Sequence, residues 1–265
     1  MSVSGDLKIS TRILLNNALA LCRRGGRKFV RLERHEGFFL LSAGGERLYM
    51  GPMRRWYRYK YGISRRLNLI ASEYGHQVFY DISPGDIVVD IGANIGEFSL
   101  YAAGHGAKVY AIEADEEIFN ILAANAENKE IVPVNAAIWK ENGPVTFYSS
   151  VERADSSIII PNEYAKKTIR QAITLDSFAE TNHINSVALI KCDAEGAEPE
   201  VLLGAQKILQ RTKTIALDCG PERQGSPTTE QCKSLLVECG FQILESHFGP
   251  RSILVATNPG FTRSN

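Results

Sequence analysis

A doubly wound α/β sheet is the fold class that this sequence predicts, and three stretches predict it. Residues 86–96, Asp-Ile-Val-Val-Asp-Ile-Gly-Ala-Asn-Ile-Gly, read as a buried strand that ends in an acid and a two-glycine turn. Phe98 to Ala102 follow with helical character, which completes the strand–turn–helix entry unit of such folds. Residues 108–113 read as a second strand that again ends in an acid, Glu113, 21 positions after Gly92. Residues 187–192 read as a further apolar strand that delivers Asp193 and Glu195. Open α/β sheets bind their ligands beyond the carboxyl ends of such strands.

The chain opens on a basic segment. Residues 6–24 fit an amphipathic helix with Leu7, Leu14, Leu15, Ala18 and Leu21 on one face and Lys8, Arg12, Asn16 and Arg23 elsewhere. Gly25 and Gly26 stop it. Its apolar face is expected to dock on its own domain, with an anionic membrane surface as the alternative. Short apolar or alternating runs at 29–32, 38–41 and 47–50, separated by glycines, predict a small antiparallel ribbon. Basic and aromatic residues then alternate from Arg55 to Tyr61. One expectation buries Trp56, Tyr57 or Tyr59 and leaves the charges solvated; the other grips an anionic or sugar-bearing acceptor. Residues 67–74 continue as a helix, and residues 83–86 turn into the first core strand. The reading divides the chain into a basic α+β extension, residues 1–75, and a sheet domain, residues 76–265.

In the sheet domain Asp115 is expected to cap a helix, with Glu116 and Glu117 in the first turn. Ile118, Phe119, Leu122 and Ala126 supply its buried stripe. Residues 131–135 are the next strand, and a turn at 141–144 leads to a strand at 145–148. Residues 149–172 are polar and irregular, and are expected to form a lid or an acceptor-binding loop. Pro199 suits the first turn of a helix that runs on through Leu209. A strand at 214–219, a helix at 228–239 ended by Gly240, and a closing hairpin at 241–246 and 252–256 complete the chain.

The bulk numbers fit this division. With 265 residues, 44% of them apolar, the chain suits one α/β domain with an added segment. Residues 1–66 hold 15 Lys/Arg against 4 Asp/Glu, and the remainder 15 against 26, so a net charge of zero hides +11 and −11. Such a basic arm is expected to meet an anionic partner or to fold back on the acidic domain. Cys22, Cys192, Cys219, Cys232 and Cys239 are odd in number and form no C-x-x-C pair. The expectation is a reducing, cytoplasmic setting without a zinc site. No apolar run approaches the roughly 20 residues of a membrane span, and no signal peptide is read.

The motifs narrow the chemistry. A dinucleotide fingerprint needs a second glycine where Asn94 stands, so close approach of a pyrophosphate is not provided for. Asp90 at the strand end suits a cationic or zwitterionic ligand. Glu113 has the spacing of an acid that accepts hydrogen bonds from ribose hydroxyls. The stretches Val89-Asp90-Ile91-Gly92-Ala93-Asn94-Ile95-Gly96, Ala111-Ile112-Glu113-Ala114, Thr174-Leu175-Asp176 and Lys191-Cys192-Asp193-Ala194-Glu195-Gly196-Ala197-Glu198 resemble the FkbM family of class I S-adenosylmethionine-dependent methyltransferases. The last is close to that family's K-I-D-V-E-G-A-E. The resemblance covers about residues 75–246.

The resemblance implies a Rossmann-like methyltransferase sheet of seven strands, parallel except for the last, with S-adenosyl-L-methionine as cofactor. It puts Asp90, Gly92, Asn94 and Gly96 against the methionyl part, Glu113 on the ribose, and Asn135 and Ala136 near the adenine. Asp193 is expected to face the reaction centre, and Glu195 to orient or deprotonate the acceptor; His183 and His247 are alternative bases. Glu198 is expected to be a cap. The implied reaction is O-methylation of a hydroxyl on a sugar, glycolipid or natural product; the cysteines add the expectation of a cytoplasmic protein, and the basic arm that of a place against the inner face of a membrane. A nucleic-acid methyltransferase that uses the basic arm is disfavoured, because the sequence lacks N-P-P-Y. A non-catalytic binding protein on the same fold is disfavoured by the intact acids and glycines, and a nicotinamide oxidoreductase by the missing glycine.

Overall fold

The structure, a computed structural model, describes residues 3–22, 24–35, 37–51, 53–149, 156–160, 163–223, 225–249 and 251–262. Arg23, the side chain of Leu7, and residues 150–155 and 161–162 of the expected lid lie outside the described residues.

The basic extension begins with helix α1 (Val3–Leu21). A three-stranded antiparallel sheet follows, in the order β1 (Val30–His35), β2 (Phe38–Ala43), β3 (Glu46–Met50). A 3₁₀ turn, Met53–Tyr59, leads into α2 (Ile63–Glu73). The expected ribbon is therefore present, with one strand more than a hairpin. Trp56 and Tyr59 are buried and Tyr57 is exposed.

α1 departs from expectation. Leu14, Leu15 and Leu21 are 69%, 63% and 76% exposed, while Asn16 and Asn17 face inward. Hydrogen bonding explains the inversion. The Asn17 carboxamide donates to the Val30 carbonyl and accepts the Val30 N–H, both at 2.8 Å, and Asn16 Nδ2 donates to the Lys28 carbonyl at 3.0 Å. Val30, the first residue of edge strand β1, thus has both its backbone groups satisfied by a helical side chain. Of the described apolar residues of α1, Ile9 and Ile13 pack against the extension's core.

The sheet domain alternates strand and helix: β4 (Ile87–Ile91), α3 (Glu97–Gly104), β5 (Lys108–Glu113), α4 (Glu116–Ala126), β6 (Ile131–Asn135). A side sheet holds β7 (Ala137–Ile138), β8 (Gly143–Ser149) and β9 (Lys166–Ile173). Then come α5 (Leu175–Thr181), β10 (Val187–Cys192), α6 (Glu198–Leu203), α7 (Gln206–Leu209), β11 (Thr212–Asp218), α8 (Thr229–Glu238), β12 (Gln242–Phe248) and β13 (Ile253–Thr257). The main sheet has the order β12-β13-β11-β10-β4-β5-β6. β13 runs antiparallel to both its neighbours, and β11, β10, β4, β5 and β6 are mutually parallel. This is the seven-stranded, doubly wound sheet that the sequence implies.

Two expectations are corrected. Residues 149–172 are not irregular throughout, because Lys166–Ile173 pairs antiparallel with β8 and parallel with β7. Its alternation is mostly polar and its residues are largely exposed until Ala172, so it gives no apolar strand signal. The helix expected from Pro199 through Leu209 is broken at Gly204 into α6 and α7. Gly204 lies against the Trp139 backbone carbonyl so closely that a Cβ would collide with it.

The core has one layer on each face of the sheet. A third cluster joins the extension to the sheet domain: Leu41, Met50, Trp56 and Tyr59 pack with Ile95, Ile118 and Ile121. The extension therefore sits beside the glycine turn and α4, at the carboxyl end of β4.

Candidate functional site

β4 and β10 are neighbours, so the loops leaving them run side by side. Asp193 N–H donates to the Ile91 carbonyl at 3.0 Å. Gly92 has φ +67°, and a Cβ there would overlap the Asp193 carbonyl oxygen. Glycine is required at this position both by the left-handed backbone and by the close approach of the two loops. Asn94 also takes a left-handed conformation, φ 51°, and its Oδ1 accepts the Ile95 N–H at 2.9 Å. The turn is fastened to β5 through Glu113, whose Oε2 accepts the Asn94 N–H at 2.9 Å and whose Oε1 accepts the Asp115 N–H at 2.8 Å. Burial pushes the Glu113 carboxyl up to about 7, against the downward pull of those two N–H groups.

A cleft of about 700 Å³ opens over these loops. Of the residues expected to bind a cofactor, Gly92, Asn94, Glu113, Ala136 and Asp193 line it, as does Glu195. Ile112, Ile118, Ile138 and Phe147 give it an apolar wall. Asp90, Gly96 and Asn135 do not line it. Asp90 is fully buried beneath the turn, where its carboxylate accepts the Ser99 hydroxyl at 2.6 Å and pairs with Lys191 at 3.0 Å. Gly96, φ +90°, begins α3 against Leu122. Asn135 stands at the rim and donates to the Glu113 carbonyl at 2.9 Å. Part of the expected lid roofs the cleft: the Ser156 hydroxyl donates to Asp115 at 3.1 Å, and that of Ser157 to the Glu195 carbonyl at 2.9 Å.

Glu195 and Gly196 both have left-handed backbone, φ 51° and 90°. Glu198 holds this bend from below. Its Oε1 accepts the N–H groups of Ala194 and Gly196 at 3.0 and 3.1 Å, and its Oε2 accepts the Thr228 hydroxyl at 2.9 Å. It thus braces the loop before α6 and also meets the backbone N–H of Glu198 itself, the first of the helix, as the expected cap would. Burial pushes its carboxyl up to about 8.

A second cleft of about 600 Å³ meets the first along Gly92, Asn94, Asp193 and Glu195. Here Asp193 Oδ2 accepts the Tyr74 hydroxyl at 2.8 Å and an Arg251 N–H at 2.6 Å, and Arg251 also holds Asp218 at 2.7 Å. The Tyr74 ring lies 5.1 Å from the Lys191 ammonium and 5.5 Å from the Arg251 guanidinium. Burial and then the Asp193 charge raise the Tyr74 hydroxyl well above the ordinary tyrosine value. Burial works against the charge on Lys191, but Asp90 and Asp193 outweigh it and raise its pKa. The tyrosine therefore remains a donor and the lysine a cation.

Sequence reasoning missed Tyr74, Lys191 and Arg251 as members of this site. Lys191 lies inside the quoted motif, but Tyr74 and Arg251 are 119 and 58 positions from Asp193 and have no local signature. Neither His183 nor His247 lines either cleft.

Comparison with known proteins adds to this geometry. A family model described as the methyltransferase FkbM domain matches residues 90–243. The hexuronic acid methyltransferase AglP of Haloferax volcanii is 26% identical over 135 residues, which are 50% of this chain and 55% of that protein. The chain thus spans about half the length of this curated relative. Among solved structures, Aeropyrum pernix fibrillarin in complex with S-adenosyl-L-methionine has a TM-score of 0.45 at 15% identity, over 86% of this chain and 99% of that one. Magnesium protoporphyrin IX methyltransferase of Synechocystis with bound SAM has a TM-score of 0.42 at 14% identity, over 74% and 77%.

Proposed function

This chain belongs to the FkbM methyltransferase family, and from that premise we propose that it transfers the methyl group of S-adenosyl-L-methionine to a hydroxyl of a sugar, glycolipid or related natural product. The observation that carries the proposal is the shared wall. A cleft suited to the donor and a cleft suited to an acceptor meet at Gly92, Asn94, Asp193 and Glu195.

The first cleft fits the donor. Its apolar wall suits the adenine, and Glu113 offers a carboxylate to the ribose hydroxyls. The Gly92 position leaves no room for a Cβ, so the loop backbone itself forms that surface. When bound, the cofactor supplies an electrophilic methyl on a cationic sulfur. The chain's task is then mainly alignment of the acceptor. Asp193, fixed by Tyr74 and Arg251, is suited to hold a constant charge beside the reacting groups. Glu195 is assigned the orientation or deprotonation of the acceptor. Its left-handed backbone favours that assignment, since such conformations gather at working sites. The name of the curated relative, a hexuronic acid methyltransferase, favours a sugar acceptor.

Thermal shift with S-adenosylhomocysteine tests the donor half. At about 100 times its dissociation constant it should stabilise the chain by roughly 2.7 kcal/mol, and Glu113→Ala should remove most of that. Labelled methyl transfer to neutral and uronic sugars tests the acceptor half. Label that resists alkali is an ether on a hydroxyl; alkali-labile label would be an ester and would replace the hydroxyl reading.

An anionic membrane surface is the second contact assigned to the extension. The outward Leu14, Leu15 and Leu21 of α1 support it, as do the cations gathered on Tyr61, where Lys60, Arg65 and Arg27 lie 5.0, 4.9 and 5.9 Å from the ring. Among the described residues no helix is long and apolar enough to cross a membrane. Flotation on anionic vesicles at low salt, lost in Leu14→Ser with Leu21→Ser, is expected; no flotation ends this reading.

A further inference from the structure

We propose that the second cleft takes an anionic group of the acceptor, a carboxylate or a phosphate, between Arg55 and Arg58. This rests on the first cleft being the donor site and adds the chemical class of the molecule that must enter from the other side.

Five cations line this cleft: Arg55, Arg58, Arg66, Lys191 and Arg251. Three of them form its floor, and their charges are matched by fixed acids. Arg66 donates to both oxygens of Glu97 at 2.9 and 3.1 Å, Lys191 pairs with Asp90, and Arg251 bridges Asp193 and Asp218. Those three hold the loops of the site in register. The two arginines of the 3₁₀ turn line the cleft beside these three pairs.

Arg55 and Arg58 are three positions apart in that turn and line both this cleft and a smaller recess of about 340 Å³ beside Asn94. The turn is a rigid base. Trp56 and Tyr59, which alternate with the arginines, are buried, and the Tyr59 hydroxyl donates to Glu97 at 2.8 Å. The charged heads are therefore presented on an anchored backbone. Arg58 is exposed and makes no ion pair with any described residue.

A neutral acceptor would gain little from two guanidinium groups at the mouth of the cleft. A carboxylate or phosphate oxygen pair matches the guanidinium fork and makes charge-assisted hydrogen bonds with it. The same field draws an anion toward the mouth, while the carboxylates of Asp193 and Glu195 repel it from the floor. The anion is thus held at the arginine end, and a different part of the acceptor is left to meet the shared wall. In this arrangement Arg55 and Arg58 set which acceptor enters and how it lies.

The test is calorimetric titration of the full chain, saturated with S-adenosylhomocysteine, with three probes: glucuronate, inorganic phosphate and glucose. Either anion should bind while glucose does not, and the arm that binds tells carboxylate from phosphate. Arg55→Ala and Arg58→Ala should each weaken the bound anion about tenfold, as expected for a lost charge-assisted bond. Arg58→Lys, which keeps the charge and loses the fork, should fall between wild type and Arg58→Ala. S-adenosylhomocysteine affinity should be unchanged in all variants, which reports an intact fold. No binding of either anion to a wild-type chain that binds S-adenosylhomocysteine overturns the proposal, as does anion binding that survives both alanine substitutions. A wild-type chain that does not bind S-adenosylhomocysteine instead overturns the donor reading.

Discussion

Asn125 pairs with Tyr49 as an adjoining strand would. Its Oδ1 accepts the Tyr49 N–H and its Nδ2 donates to the Tyr49 carbonyl, both at 2.8 Å, and Nδ2 also donates to the Ile95 carbonyl at 2.9 Å. A helical residue of the sheet domain thereby closes the β3 edge of the extension and fastens the glycine turn with the same carboxamide. Asn17 closes the opposite edge at Val30 in the same two-point manner.

Asn125→Leu leaves three polar backbone groups without their partner. Unsatisfied groups of this kind cost about 1–3 kcal/mol each when fully buried. With partial access to water, the expected loss is roughly 2–4 kcal/mol, read as a lowered urea midpoint with an unchanged slope.

Glu198 gives stability a pH dependence. Its carboxyl is raised on folding from about 4.5 to about 8, so it stabilises the fold while protonated. That contribution is whole below pH 4.5 and is lost as pH rises through 8. Glu198→Gln keeps acceptors for the loop N–H groups and cannot ionise. It should match wild type near pH 4 and exceed it at pH 8.5 by roughly 1–3 kcal/mol, measured as thermal midpoints across that range.

Glu113 should give cofactor binding a pH dependence of the opposite sense. Its raised value, about 7, leaves much of it protonated in mildly acid solution. In the binding mode proposed above, ribose hydroxyls would donate to the charged form, so binding would favour ionisation. S-adenosylhomocysteine affinity should rise between pH 6 and 8 and then level off, by up to about tenfold per unit on the acid side. Glu113→Gln should weaken binding and flatten the profile in calorimetric titrations.

Asp193→Asn should separate chemistry from binding. The amide is nearly isosteric, but Arg251 and Tyr74 lose their charged acceptor. We expect turnover to fall about 100-fold while S-adenosylhomocysteine affinity stays within about threefold. Unchanged turnover in a labelled-methyl assay would remove Asp193 from the reaction centre. Tyr74→Phe should be milder, because the Arg251 contact remains.

The sheet was legible because its signals are local. Apolar runs such as residues 187–192 and acids at strand ends are written within a few positions, and Gly92 marks a turn by composition alone. β9 was not legible, since a polar strand on a side sheet has the alternation of a loop. The second cleft was legible only in part. Arg55 and Arg58 lie in a stretch whose basic and aromatic alternation is visible, but their place beside Asp193 depends on the extension folding onto α4. The Tyr74–Asp193–Arg251 arrangement joins three distant segments, and no window of sequence contains it. Asn17 and Asn125 read as ordinary polar helix residues, because a carboxamide that imitates a strand differs from a solvated one only by its neighbours.

The inverted seating of α1 affects how the molecule comes apart. A helix held by carboxamides, with only Ile9 and Ile13 of its described apolar residues packed on the core, is expected to expose little new nonpolar surface when it leaves. Its release should carry a small heat-capacity change and respond weakly to denaturant. In native-state hydrogen exchange the Val30 amide would then open through a local event almost independent of urea, while amides of β4 and β10 exchange through events that urea strongly promotes. Helix α1 is in that sense expected to leave as a separate unit, while β1–β3, held by the apolar cluster and by Asn125, stay on the methyltransferase sheet.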